Sequence, residues 1–138
     1  MFKKHPTNED LIIEISTGKT IPNSNNEDWE RYQQFLTNGG VPEDEYSNDE
    51  YVKIRIQEVR SIAREKILKV MSRSQQSNSL NSKIDLMNKV GSLTESEQTK
   101  LDGINDKWDE IQAIRKKKKE IIGNIKLATD AKNFLIIF

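Results

Sequence analysis

The chain has 138 residues, 34% hydrophobic and 32% charged, and its 22 basic and 22 acidic side chains cancel to no net charge. That length suits a single domain, and the balanced charge provides no global field to draw in nucleic acid. The absence of cysteine excludes disulfides and cysteine-ligated metal sites.

No apolar run approaches the roughly 18–20 residues needed to cross a bilayer. The start, MFKKHPTNEDL, has lysines without an apolar segment behind them, so it does not read as a secretory signal. Leu11–Ile15 has the composition of a strand, Gly18-Lys19 of a turn, and Thr20-Ile21 of a short return strand. Two strands alone are marginal, and Pro22 stops regular pairing. Asn25 or Asn26 can cap a helix beginning at Glu27, where Glu27 and Asp28 favour the dipole. Trp29, Tyr32, Phe35 and Leu36 share one face of that helix. Asn38-Gly39 ends it, and Pro42 prevents its resumption.

A second helical region starts at Asn48 or Asp49. Its apolar stripe runs through Val52, Ile56, Val59, Ala63, Ile67 and Val70, then Leu80, Ile84, Met87 and Val90. The stripe fails at residues 72–79, SRSQQSNS, where a bend or interruption is expected. Gly91 can end this arm, and Thr94 with Glu97 forms a capping box for the next. The third region repeats the periodicity through Leu101, Ile104, Trp108, Ile111, Ile114 or Arg115, Ile121 or Ile122, Ile125 and Ala128.

A short loop between two such arms predicts an antiparallel αα-hairpin, with arms of roughly 30–40 residues or about 45–60 Å. The expected fold is therefore mainly α. A small N-terminal β-hairpin and short helix occupy residues 1–47, a long helical hairpin or coiled coil residues 48–133, and an apolar tail residues 134–138. That tail, Phe134, Leu135, Ile136, Ile137 and Phe138, shows no polar alternation and reads as a surface for a partner.

The chemistry-bearing residues do not assemble into an enzyme. His5 is the sole histidine, placed in a polar leader, and no converging ligand set surrounds it in sequence, so no metal or cofactor is expected. The acidic groups Glu27, Asp28, Glu30 and Asp44, Glu45, Asp49, Glu50 fall near helix starts and read as capping and solvation rather than paired catalytic carboxylates. Gly18-Lys19-Thr20 lacks the upstream glycine and following helix of a phosphate loop. Lys116–Lys119, preceded by Arg115, could contact phosphates. Acidic neighbours and the lack of interleaved aromatics favour a solvated or inter-subunit face. Trp29, Tyr32, Phe35 and Trp108 are read as packing or contact residues.

Two stretches carry a resemblance. Gly18-Lys19-x-Ile21-Pro22, Asn26-x-Asp28-Trp29-x-x-Tyr32-x-x-Phe35-Leu36 and Asn38-Gly39-Gly40-x-Pro42-Glu43 resemble a module of tailed-phage proteins from the tail-fibre region. Leu93-Thr94-x-x-Glu97, Leu101 and Trp108-Asp109-x-Ile111-x-x-Ile114-Arg115 resemble, more loosely, a helical hairpin of related tail-fibre and tail-fibre-assembly sequences. Gly40-Val41 and the four-lysine run depart from that pattern.

The resemblance implies a protein of the phage tail-fibre system, made in the host cytoplasm and either built into the virion or used to assemble it. The apolar tail, which the resemblance does not cover, reads as a permanent contact and favours a structural virion component. It would act as a connector or attachment protein in the tail or fibre apparatus, as a homo-oligomer or with other virion proteins. The interaction residues would be Trp29, Tyr32, Phe35, Leu36, Trp108 and Phe134–Phe138. Alternatives are a tail-fibre assembly chaperone and a nucleic-acid-binding accessory protein using the lysine run. No small-molecule substrate and no membrane partner are expected.

Overall fold

The computed structural model describes residues 1–138. The chain is mainly helical, with a small antiparallel sheet preceding the helices. It divides into two compact units, Met1–Tyr51 and Val52–Phe138.

The first unit holds β1 (Phe2–Lys4), β2 (Leu11–Glu14), β3 (Thr20–Pro22) and α1 (Glu27–Thr37). The sheet has order β1-β2-β3, so the expected two-strand hairpin gains a third strand from the supposed polar leader. Phe2 pairs with Glu14 and Lys4 with Ile12 on one side of β2, and Ile12 pairs with Ile21 on the other. Strand alternation turns Ile12 and Glu14 toward the covered face. Gly18, at φ +69°, makes the tight turn before β3 that a side chain would strain. The outer edge of β1 is occupied as well: Glu43 N–H donates to the Phe2 carbonyl at 2.9 Å, and Lys4 N–H donates to the Glu43 carbonyl at 3.0 Å. A sheet edge closed in this way offers no template for further strands.

Asn26 caps α1, its side chain accepting the Trp29 N–H at 2.9 Å. At the other end Gly39, at φ +82°, and Gly40 close a Schellman motif. Gly39 N–H donates to Leu36 at 3.0 Å and Gly40 N–H to Phe35 at 2.9 Å. A Cβ on Gly40 would lie 2.4 Å from the Phe35 ring. The missing side chain is what lets the returning chain pass over that ring.

Helix α2 (Asn48–Val70) begins inside the first unit and continues through the second. Its cap is Ser47, one residue ahead of the expected start. Ser47 Oγ accepts the Glu50 N–H at 3.3 Å, and the Glu50 carboxylate accepts the Ser47 N–H at 2.8 Å. The second unit adds α3 (Arg73–Met87) and α4 (Glu95–Leu127).

The expected arm of 30–40 residues is thus two helices. The interruption falls at Met71-Ser72, and most of the stretch expected to be weak is helical. Ser72 and Gln75 form a reciprocal capping box there, while Met71 is buried. Met71 thus faces inward at the junction, whereas a strict heptad continued from Ile56 and Val59 falls on Lys66, Arg73 and Ser77. The opposing arm is one helix of 33 residues, about 50 Å long. Thr94 and Glu97 cap it as expected, and Lys89 reaches the Glu97 carboxylate at 2.6 Å.

The arms run antiparallel. Val59 of α2 packs with Ile121 and Ile125 late in α4, and Ser79 of α3 meets Trp108 midway along α4. The stripe is not buried throughout: Leu80, Ile84, Met87 and Val90 are exposed, and α3 contributes no fully buried side chain.

Candidate interaction surfaces

The aromatic face of α1 is an internal contact in large part. Trp29, Tyr32 and Phe35 pack against Phe2, Ile12 and Ile21. The Phe2 ring meets both Tyr32 and Phe35 edge-on at 5.2 Å. This geometry matches the preferred approach of ring edge to ring face. Leu36, the fourth residue of the face, is exposed.

An electrostatic bracket ties α1 to the sheet beside this cluster. Glu14 accepts from the Thr17 hydroxyl at 2.6 Å and from Arg31 at 3.1 Å. Arg31 also pairs with Asp28 at 2.5 Å, and Lys19 pairs with the same carboxylate. Lys19 is therefore engaged as a turn residue. The Thr17 hydrogen bond and the Arg31 charge hold the Glu14 carboxyl below its ordinary range despite the opposing effect of burial. The bonds from Lys19 and Arg31 do the same for Asp28.

Folded-state values below the unfolded ones mean that this contribution to stability is complete only above the unfolded values, at about pH 5 and higher, and is lost as pH falls through the depressed values. Replacing Arg31 by Met raises both carboxyls toward their ordinary range. The acid transition of the first unit is expected to move to higher pH, read by Trp29 fluorescence in a Trp108→Phe background. An unmoved transition would show that the bracket carries no proton linkage.

In the second unit the apolar tail is partly folded home. Phe134, Ile136 and Phe138 pack against the Val59, Ile121 and Ile125 cluster together with Val52, Ile56 and Ile122. Leu135 and Ile137 point outward. The segment expected to stand as a separate partner surface is thus divided residue by residue, alternate side chains inward as in an extended strand. Arg55 donates to the Phe134 carbonyl and pairs with Glu58 at 2.5 Å. Lys66 lies 5.8 Å from the centre of the Phe138 ring, within cation–π range.

Trp108 donates its indole N–H to Ser79 Oγ at 3.1 Å, with the Arg115 guanidinium 6.0 Å from its ring centre. It joins the two arms and is half-buried. Of the lysine run, Lys117 pairs with Glu120 at 3.3 Å, Lys116 and Lys119 are exposed, and Lys118 is half-buried.

Lys118 belongs to a feature that spacing along the chain did not signal. A groove of about 330 Å³ is lined by Arg60, Arg64, Arg73, Arg115 and Lys118, with Ala63, Ile67 and Leu68 also lining it. Its local signals were the i, i+4 pair Arg60 and Arg64 and the basic run that holds Arg115 and Lys118; that these and Arg73 of α3 line one groove is set by how the three helices pack.

No helix of the chain is long and apolar enough to cross a membrane, and no group of three or more His, Asp or Glu side chains is gathered to hold a metal ion. The chain matches no family model, no curated protein and no solved structure.

Proposed function

We propose that this protein is a non-enzymatic structural component of a tailed-phage virion, a multi-copy connector or attachment part of the tail or fibre apparatus. The observation that carries the structural part of this reading is the apolar surface left on the helical unit. Met87, Val90 and Leu127 are 68%, 97% and 84% exposed, and Leu135 is 74% exposed. Such groups on slender, heavily charged helices suit burial against other protein chains. The phage assignment is supported by the Gly18–Glu43 motif order and its resemblance to tail-fibre-region modules.

The test is mass spectrometry of purified phage particles from a host carrying the coding sequence. The expected result is this chain in the particle, in several copies and co-fractionating with the tail. Absence from particles, together with co-purification with an unassembled fibre subunit, would replace this reading with the assembly-chaperone one.

A further inference from the structure

The two halves of the chain are oppositely charged. Residues 1–51 hold four basic and eleven acidic side chains, a net charge of −7, whereas residues 52–138 hold eighteen basic and eleven acidic ones, a net charge of +7. Neutrality of the whole conceals two units of opposite net charge.

The positive excess has a focus. Arg60 and Arg64 of α2, Arg73 at the start of α3, and Arg115 and Lys118 of α4 line one groove with no acidic side chain among its lining residues. Arg60, Arg64, Arg73 and Lys118 take part in no ion pair within the chain. Like charges gathered from three helices repel one another, a cost that an anionic occupant removes. Ala63, Ile67 and Leu68 in the same lining add apolar area.

The negative half has a matching focus. Five of the eight residues from Glu43 to Glu50 are acidic, and Val41, 81% exposed, stands two residues before them. An acidic segment next to an exposed aliphatic side chain is the chemical complement of a cationic groove with apolar lining.

We infer that the arginine groove receives the acidic segment, residues 41–50, of a second copy of this chain. Charge complementarity selects this occupant over a nucleic-acid backbone. A neutral molecule gains no long-range attraction to a polyanion, whereas the acidic unit of one copy and the basic unit of another attract each other. The contact is heterologous, since groove and segment are different surfaces, and it repeats along a ring or filament. The inference rests on the multi-copy reading above and names the surface that joins successive copies.

The test is sedimentation velocity on the full chain over a range of concentration at about 20 mM and about 500 mM salt, where the screening length shrinks several-fold. Wild-type protein is expected to assemble at low salt and dissociate at high salt. A groove variant, Arg64→Glu with Arg73→Glu, and a segment variant, Glu43→Arg with Asp49→Arg, each cancel most of the charge of one surface and should each associate at least about tenfold more weakly. An equimolar mixture of the two should associate again, because the intact groove of the segment variant then meets the intact segment of the groove variant. These side chains are exposed, and unchanged circular-dichroism melting verifies the fold.

Assembly that survives high salt and both reversals would overturn the groove contact while leaving the multi-copy reading in place. Failure of the mixture to recover would also overturn it. A monomeric wild type that instead binds a labelled oligonucleotide salt-dependently, through the same arginines, would overturn it in favour of phosphate recognition.

Discussion

Truncation after Asn133 is expected to destabilise the helical unit. Phe134, Ile136 and Phe138 cover Val59, Ile121 and Ile125, and their removal exposes that cluster to water. Full burial of a large apolar side chain stabilises by about 1.5–3 kcal/mol, so three half-buried ones are expected to contribute about 3 kcal/mol together. For a unit of this size the loss lowers Tm by roughly 10–20 °C. Thermal unfolding followed by circular dichroism measures it. The double variant Leu135→Ser, Ile137→Ser, which changes only the outward side chains, should leave Tm nearly unaltered. Equal losses in the two variants would show that alternate residues of the tail are not divided between inside and outside.

Phe2→Ala is expected to unfold most of the N-terminal unit. Phe2, Ile12 and Ile21 are its buried apolar cluster, and the rings of Tyr32 and Phe35 both rest on Phe2. Removing a core phenylalanine costs about 3–5 kcal/mol. The stability available to some fifty residues is of the same order, at roughly 0.05–0.15 kcal/mol per residue. Trp29 packs on this cluster, so its fluorescence should shift toward that of a solvated indole, and limited proteolysis should cut within residues 1–45. Leu36→Ala, on the exposed flank of the same helix, provides the control with little effect. A native-like spectrum for Phe2→Ala would mean that β1 is dispensable to the unit.

Helix α1, its Asn26 cap, the Gly39 stop and the Thr94–Glu97 box were legible because each depends on residues a few positions apart. The strand Phe2–Lys4 was not. Three residues show no periodicity, and two lysines preceding His5 read as a polar leader until β2 supplies partners on its far edge. The Ser72–Gln75 box has the same three-residue spacing as the Thr94–Glu97 box that marks the start of α4. It was hidden because the stretch around it reads as a weak part of one helix rather than the start of another. The tail illustrates a different limit: five apolar residues in a row cannot display which of them face inward, and that division comes from α2 and α4. Trp108 was placed on the seam by its period, but its bond to Ser79 depends on how the interrupted arm lies along α4. The arginine groove is tertiary in the same sense, its members drawn from three helices.

The capped restart at Ser72 also divides the helical unit into zones of unequal resistance. Helix α3 has no fully buried side chain, whereas α2 and α4 hold Val59, Ala63, Ile111, Ile121 and Ile125. Because α3 begins with its own cap, it can unravel without pulling apart the hydrogen-bonded turns of α2. The molecule therefore has a fuse: a span of some fifteen residues that yields first and at small energetic cost. That span can reshape itself around whatever it meets while the α2–α4 pair stays closed.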